Sequence, residues 1–427
     1  MASSSPTLLR RLTTTDAVVI GLGSMIGAGV FAAFGPAAKA AGSGLLIGLV
    51  IAAIIAYCNA AASAQLAAVY PTSGGTYIYG RERLGEWWGF LAGWGFVIGK
   101  TASCAAMAIT FASYVLPSDR LLQRVVAIIA VVALTSLNYR GVTRTAAMTK
   151  ILVSLSLTCL AVVVVSILVA GDVSSHNLDG WWQPANGLYG ILQAGGLLFF
   201  AFAGYARIAT MGEEVRDPAQ TIPRAIQIAL AITVVVYVLV AVTILMAAGA
   251  NQLALSTAPL VTAVNAAGVG SIAPVVRVGA AVASLGALLA LIAGIGRTSL
   301  AMARNRDLPS WLAAVHPRYR VPHHAEVTLA VVVSALVMLV DLRGVIGFSS
   351  FGVLIYYAVA NASAFTQPRE QRRWPRLTFI LGLIGCLILV ATLPWLSIAL
   401  GVMMFAIGVI GRIVVLRQRQ PSLVNQP

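Results

Sequence analysis

The sequence predicts an all-α integral membrane protein with about twelve transmembrane helices, and three observations support this class. The 427 residues are 59% apolar and only 10% charged, whereas soluble domains are about 45–50% apolar and about 25% charged. The mean hydropathy is +0.91. The apolar residues also form repeated blocks of about 18 or more, the length that one helix needs to cross a bilayer. A water-soluble fold is therefore excluded, and the lipid bilayer is the expected surroundings of the chain.

Twelve apolar segments are separated by loop-forming residues. They span residues 16–40, 44–69, 87–115, 121–138, 148–170, 188–211, 224–248, 274–303, 326–340, 344–366, 376–393 and 395–416. The ninth and tenth segments divide at residues 341–343, and the last two divide at Pro394. We expect a cytoplasmic tail at 1–15, a ten-helix core at 16–366, two accessory helices at 376–416 and a cytoplasmic tail at 417–427.

Two of these segments contain residues that interrupt a helix. The first has four glycines within nine residues, Gly21, Gly23, Gly27 and Gly29, and each glycine costs a helix up to about 1 kcal/mol. The sixth carries a weaker interruption, Phe-Ala-Gly-Tyr at 202–205. The two interruptions occupy matching places if the first ten spans form two halves of five. Interruptions at matching places indicate a transporter binding site near the middle of the membrane.

An unwound segment frees backbone groups that need partners, because the bilayer core contains no water. The half-helix that begins near Ala28 would offer N–H groups and a positive dipole to a carboxylate. Carbonyl groups that end the preceding half-helix, and those near Phe202 and Ala203, would accept hydrogen bonds from an ammonium group. This argument predicts an α-amino acid as the ligand. The glycines have a second interpretation, since Gly23 and Gly27 also have the small-xxx-small spacing of close helix packing.

With these motifs, the chain resembles the amino acid-polyamine-organocation (APC) superfamily of permeases, whose members share the LeuT-like fold of five-plus-five inverted repeats. The resemblance rests on four stretches, which follow one another through the first ten spans. They are GSMIGAGVF at 23–31, PTSGGTY at 71–77, FAGY at 202–205 with EEVRDP at 213–218 and IPR at 222–224, and Arg297 with AMAR at 301–304 and LP at 308–309. The resemblance implies repeats at about 16–170 and 188–366, followed by two C-terminal helices.

The resemblance also implies a set of substrate-binding residues. It assigns the substrate's α-carboxylate to four residues of the first span, Ile26, Gly27, Ala28 and Gly29. It assigns an aromatic gate to the sixth span, with backbone groups beneath it, formed by Phe202, Ala203 and Gly204. From the sequence pattern by itself, Phe202 is a packed or lipid-facing aromatic residue.

Two positions depart from the family pattern. Proton-coupled members often have a lysine within the fifth span, at a position that falls on Ser156 in this chain. Members also often have an acidic residue two places after the glycine of the sixth-span motif, where this chain has Ala206. These departures weaken the transfer of a coupling mechanism, or of a preference for cationic substrates, from the family to this chain.

Two cations lie within the predicted spans, whereas the thirteen acidic residues fall in predicted loops or at span ends. A cation at that depth costs about 2.5–3.5 kcal/mol to insert and is a functional candidate. Lys100, in the third span, is either a strut for helix-end carbonyls or a desolvated amine that exchanges protons during transport. Arg207 either extends its side chain to the cytoplasmic surface or provides a fixed positive charge, for an anion or in place of sodium. These two residues and Ser156 are the coupling candidates.

We therefore expect a secondary transporter that moves an amino acid by alternating access, coupled to protons or to exchange. The alternative is a permease of the same fold for an amine or another small organic solute. An intramembrane enzyme or sensor would need reactive side chains at membrane depth, and the four histidines, His176, His316, His323 and His324, fall in predicted loops. We expect no catalytic residue, metal or cofactor. We also expect no nucleic-acid partner, because the basic residues lie between apolar blocks and not on a basic face.

The distribution of Lys and Arg predicts a multi-pass protein of the cytoplasmic membrane with both termini in the cytoplasm. Of the 28 such residues, two lie within spans, 21 fall on the cytoplasmic side of the twelve-span arrangement, and five fall outside: Lys39, Arg120, Arg124, Arg277 and Arg343. Cytoplasmic loops are enriched in these residues. Reporter fusions to the C-terminus measure the orientation, and a signal from the outer compartment would show that the number of spans is odd.

Overall fold

The computed structural model of the protein describes residues 10–116, 119–180, 186–339 and 342–419. Within these ranges the regular structure is helical, apart from one isolated bridge between Leu12 and Val215. The all-α class predicted from composition and hydropathy is therefore confirmed.

The described residues form seventeen α-helices, joined by loops and short 3-10 turns. The helices that precede the sixth-span interruption are α1 (Thr14–Met25), α2 (Ala28–Ala32), α3 (Phe34–Ala41), α4 (Leu45–Val69), α5 (Thr76–Leu84), α6 (Glu86–Val115), α7 (Arg120–Tyr139), α8 (Val142–Ala170) and α9 (Gly187–Phe202). Those that follow are α10 (Ala206–Ala209), α11 (Pro218–Leu255), α12 (Pro259–Ala266), α13 (Ala273–Arg304), α14 (His323–Leu339), α15 (Leu342–Phe365), α16 (Arg376–Thr392) and α17 (Trp395–Arg419).

Ten helical stretches of the described chain are long and apolar enough to cross a membrane. Two further apolar helices, α14 and α16, have 17 residues each and occupy the places of the ninth and eleventh predicted spans. A helix of that length measures about 25 Å, only slightly less than the hydrocarbon thickness of about 30 Å. Each of the twelve predicted spans thus has a helical counterpart.

The helix bounds differ from the prediction in a few places. The short helix α5 was not predicted, and α11 begins at Pro218, before the expected start at residue 224. Proline is favoured in the first turn of a helix, which explains this earlier start. At Gly249 (φ 66°, ψ 162°) the backbone leaves the helical conformation and α11 is kinked, close to the predicted end of this span at residue 248. The predicted division at 341–343 lies partly outside the described residues, as do most of the two predicted tails.

The interrupted first span lies inside the bundle. Helix α1 packs against α8, α11 and α13, and it also contacts the turn at 203–205 in the sixth span. Helix α6 packs against α13 and α15 on another side of the core. The two accessory helices are peripheral, since α16 packs on α15, α4 and α9, while α17 contacts mainly α15. The fold therefore surrounds the two interruptions with other spans.

Both described ends of the chain lie at the same end of the bundle, here called the terminal side. Near the start of the chain, the backbone N–H of Leu12 donates to the carbonyl of Glu214 at 3.0 Å. In the last helix, the Arg412 guanidinium lies 3.2 Å from the Asp307 carboxylate. Glu213, in the loop after α10, and Arg304, the last residue of α13, lie 3.4 Å apart and connect these two regions. An even number of membrane crossings follows from this arrangement.

Candidate substrate site

The first span is interrupted at two residues. Helix α1 ends at Met25, and Ile26 (φ −80°, ψ 81°) and Gly27 (φ −140°, ψ −147°) leave the helical region of backbone conformation. The helix resumes at Ala28. The prediction of a non-helical backbone over residues 26–29 is confirmed for Ile26 and Gly27 and is wrong for Ala28 and Gly29. A single glycine inside a helix costs only about 1 kcal/mol, so the helix restarts as soon as the chain has changed direction.

The sixth span is tightened and not unwound. Residues 203–205 form a 3-10 turn between α9 and α10, and Ala203 has φ −68° and ψ 9°. The predicted position of the interruption is confirmed, but the expected non-helical backbone is wrong. A 3-10 turn keeps most backbone hydrogen bonds as i→i+3 bonds, which reduces the number of groups left without partners. Such turns inside long helices often mark hinges.

The two interruptions face each other, as predicted. A Cβ atom built on Gly204 would overlap the carbonyl group of Ser24 and would lie 2.5 Å from the Met25 nitrogen. Only glycine allows this close approach of the two backbones. The fold thus brings together the predicted binding residues of the first and sixth spans.

The second half of the first span begins with backbone donors that follow a glycine. The first N–H groups of a helix have no partner within that helix, and the N-cap residue of α2, Gly27, has no side chain to cap them. Gly27 and Gly29 are buried here, and Val30 is fully buried. Buried donors of this kind need an acceptor, and a carboxylate suits both their hydrogen-bonding capacity and the helix dipole.

The packing interpretation of the glycines also holds. A Cβ on Gly27 would overlap the Ala287 side chain of α13, and a Cβ on Gly29 would lie 2.5 Å from the Cβ of Ala201 in α9. The glycines therefore serve both functions, because the same residues end one helix and let neighbouring helices approach. Substitution of either glycine cannot separate a lost ligand site from disturbed packing.

Tyr237 of α11 connects the two interruptions, and no sequence motif predicted this contact. Its hydroxyl contacts the carbonyl of Met25 and lies 3.1 Å from the carbonyl of Ala201. A hydroxyl has one proton, so it donates to one carbonyl at a time. A second tyrosine, Tyr357, donates to the carbonyl of Ala203 at 3.3 Å. Several carbonyls that the sequence assigned to the ammonium group thus already have one tyrosine partner, and each keeps a second lone pair.

The predicted gate, Phe202, is a packed aromatic residue in this conformation. Its ring is fully buried, and it meets the ring of Tyr237 edge to face at 5.0 Å between centroids. It does not face lipid. Its position at the end of α9, directly before the 3-10 turn, places it beside the site.

Among the coupling candidates, Ser156 and Lys100 are both buried in the core. The Ser156 hydroxyl donates to the carbonyl of Leu152 in its own helix at 2.7 Å. Lys100 is 3% exposed, and no hydrogen bond or ion pair holds its ammonium group among the described residues. The strut interpretation of Lys100 requires carbonyl partners and is not supported.

Arg207 is buried and does not extend to the surface, so that interpretation is wrong. Its side chain is 2% exposed and lies 3.0 Å from the Thr210 hydroxyl and 3.5 Å from the Glu214 carboxylate. Snorkelling is favoured when no partner is available at depth. Here the loop after α10 folds back and supplies an acceptor.

Arg207 belongs to a buried ion cluster near the terminal side. Arg297 of α13 lies 2.6 Å from Glu214 and 3.0 Å from Glu326 of α14. Burial alone would raise the pKa of Glu214, but Arg297 and Arg207 outweigh burial and hold this pKa below its usual value. The sequence contained Glu214 and Arg297 in its motifs, but it did not show that a loop carboxylate would be fully buried.

Comparison with known proteins now identifies the family, because the amino acid permease profile matches residues 16–415. The chain belongs to the amino acid permease family. Its relatives are transporters, so this permease is a membrane transporter and not an enzyme. The family assigned from the sequence motifs is confirmed.

Three relatives show the range of proteins that the permease is similar to. An uncharacterized transporter of Mycobacterium tuberculosis is 57% identical over 97% of this chain and 94% of its own length. The branched-chain amino acid permease BcaP of Bacillus subtilis is 27% identical over 99% of this chain and 96% of its own. Cationic amino acid transporter 7 of Arabidopsis thaliana, a chloroplastic protein, is 28% identical over 92% of this chain and 72% of its own.

We predict that Glu214→Gln destabilises the permease strongly, because it leaves two buried guanidinium groups with fewer charged partners. Breaking a buried ion pair costs about 3–5 kcal/mol. Thermal unfolding in detergent measures the effect, and Glu82→Gln, at an exposed position of α5, is the control. Because its folded-state pKa is lowered, the contribution of Glu214 is complete above its usual pKa of 4.5 and is lost as the pH falls further. Equal melting temperatures for the two variants would contradict the structural role of the cluster.

Proposed function

We propose that this transporter carries an amino acid across the cytoplasmic membrane by alternating access. The observation that carries the proposal is the buried start of α2, which follows Gly27 directly after the end of α1, where α1 packs on the 3-10 turn of the sixth span. Backbone donors at membrane depth are tolerated where they line a site that supplies an acceptor. The site needs no charged side chain to bind a zwitterion.

In the proposed complex, the α-carboxylate of the substrate accepts hydrogen bonds from the backbone N–H groups of Ala28 and Gly29. Ile26 and Gly27 form the bend that presents these groups. The α-ammonium group donates to carbonyls at the two interruptions, where it uses lone pairs that the tyrosines leave free. Phe202 covers the site, while Ala203 and Gly204 form its base.

The proposed transport cycle uses the two halves of the core. We propose that residues 16–170 and 188–366 are inverted repeats, that 376–416 is accessory, and that both termini are cytoplasmic. The position of the two interruptions, one in the first span of each half, supports this division. Rocking of one part of the core against the other would then open the site to each side in turn.

The first experiment measures binding of the twenty amino acids to the purified protein by thermal shift, since a ligand of the folded state raises the melting temperature. Ala28→Pro should abolish the shift, because proline removes one N–H donor while it suits the first position of a helix. Ala28→Val adds similar volume and keeps the donor, so it should retain binding. Equal binding by the two variants, or no response to any amino acid, would contradict the proposed site.

We propose further that Lys100 exchanges the coupling proton. Its ammonium group is buried without a hydrogen bond or ion pair in the described part of the chain. A proton drives transport only if its binding energy differs between the outward- and inward-open states. An unpaired buried amine meets this condition easily, because its free energy depends on how much water each state admits. Ser156 bonds to its own helix, and Arg207 cannot usefully lose its proton.

Lys100→Met should therefore retain substrate binding and lose the pH dependence of uptake. The measurement is the initial rate of uptake into proteoliposomes between about pH 5 and about pH 9, a range in which a desolvated amine can titrate. Ser156→Ala should keep the wild-type profile. If Lys100→Met keeps that profile and only lowers the yield of folded protein, then Lys100 is a structural residue.

A further inference from the structure

We infer that the substrate site accepts amino acids with uncharged side chains and rejects those with a cationic side chain. This inference rests on the proposed function and narrows its substrate class. It is carried by the distribution of charge around the two interruptions, and in particular by which buried carboxylates already have partners.

Carboxylates that would pair with a cationic side chain are absent from the middle of the described bundle. Each of the described acidic residues lies in a loop or in the first or last turn of a helix. Two of them, Glu214 and Glu326, are fully buried, but Arg297 binds both. The nearest acid to α1, Asp16, forms an ion pair with Lys150 at 2.6 Å. A substrate ammonium group would find no free counter-charge among these groups.

The side chains that lie closest to Gly27 and Gly29 are apolar. A Cβ on Gly27 would meet Ala287 and the sulfur of Met107, and a Cβ on Gly29 would meet Ala201. In the sixth span the position two residues after Gly204 is Ala206, which is 1% exposed. Apolar walls favour an apolar side chain and impose the full desolvation penalty on an ionised one.

In its protonated form, Lys100 adds a positive charge to the same region. It lies seven residues before Met107 on α6, so the two residues share one face of the helix and are about 10 Å apart along its axis. Met107 contacts Gly27 of the first interruption, as described above. The ion cluster of Arg207, Arg297, Glu214 and Glu326 has no formal net charge, which leaves Lys100 as the uncompensated charge of the described core. Repulsion from it acts against any cationic substrate.

The relatives do not decide this question, because their names cover both classes. One is named a branched-chain amino acid permease and another a cationic amino acid transporter, at 27% and 28% identity to this chain. The distribution of charge in this chain favours amino acids with uncharged side chains.

The test uses ligand pairs that differ in charge and hardly in size. Thermal shift and competition binding compare L-norleucine with L-lysine, and L-citrulline with L-arginine, on the purified full chain at about pH 7.5, where the side chains of lysine and arginine are charged. L-norvaline and L-2,4-diaminobutyrate replace them if only short side chains bind. We expect the neutral member of each pair to bind at least about tenfold more tightly. L-glutamine should likewise bind better than L-glutamate.

The outcomes separate this inference from the proposed function. Failure of every amino acid to bind would overturn the proposed function. Binding of L-lysine or L-arginine as tight as that of its neutral partner, or tighter binding of L-glutamate than of L-glutamine, would overturn the substrate class alone.

Two variants then test the role of Lys100. Lys100→Met should reduce the ratio between norleucine and lysine affinities, because it removes the repelling charge. Lys150→Met removes a lysine of the terminal side that is paired with Asp16, and it should leave the ratio unchanged. An unchanged ratio in Lys100→Met would overturn the part assigned to this lysine, while equal reductions in both variants would show a non-specific effect and count against it as well.

Discussion

A helix that is interrupted inside a bilayer must find partners for the backbone groups that it frees, and this constraint organises the centre of the molecule. The freed carbonyls and the freed N–H groups have different surroundings. The hydroxyl of Tyr237 is placed to donate a hydrogen bond to the carbonyl of Met25 or Ala201, and that of Tyr357 donates to the carbonyl of Ala203. The N–H groups at the start of α2 follow Gly27, which has no side chain to cap them. In the proposed site these donors are the groups that bind the carboxylate of the substrate.

The ion cluster near the terminal side joins three elements of the fold. Arg297 joins α13 to the loop after the sixth span and to α14 through Glu214 and Glu326. A buried ion pair gains little net energy, because desolvation of its members offsets most of their attraction. Removal of one member is costly all the same, because it leaves a buried charge without its partner.

Much of the fold was predictable because the length of an apolar segment indicates directly whether it can cross the bilayer as a helix. The spans, the family and the positions of both interruptions followed from local residue patterns. The extent of the interruptions did not, because Gly29 is helical where it packs on Ala201, a contact with a distant helix. The contacts of Tyr237 with Met25 and of Arg297 with Glu214 could not be predicted for the same reason. The two residues of each contact lie 212 and 83 positions apart along the chain, so no local sequence pattern indicates that they meet.

The buried charges of the core divide into two kinds with different physical consequences. The four members of the ion cluster compensate one another in formal charge, because Glu214 lies against Arg207 and Arg297, and Arg297 also lies against Glu326. Lys100 has no hydrogen bond or ion pair among the described residues, so the free energy of its charged form depends on the solvent, substrate or conformation that surrounds it. The coupling proton and the discrimination against cationic substrates are therefore expected to depend on the same residue.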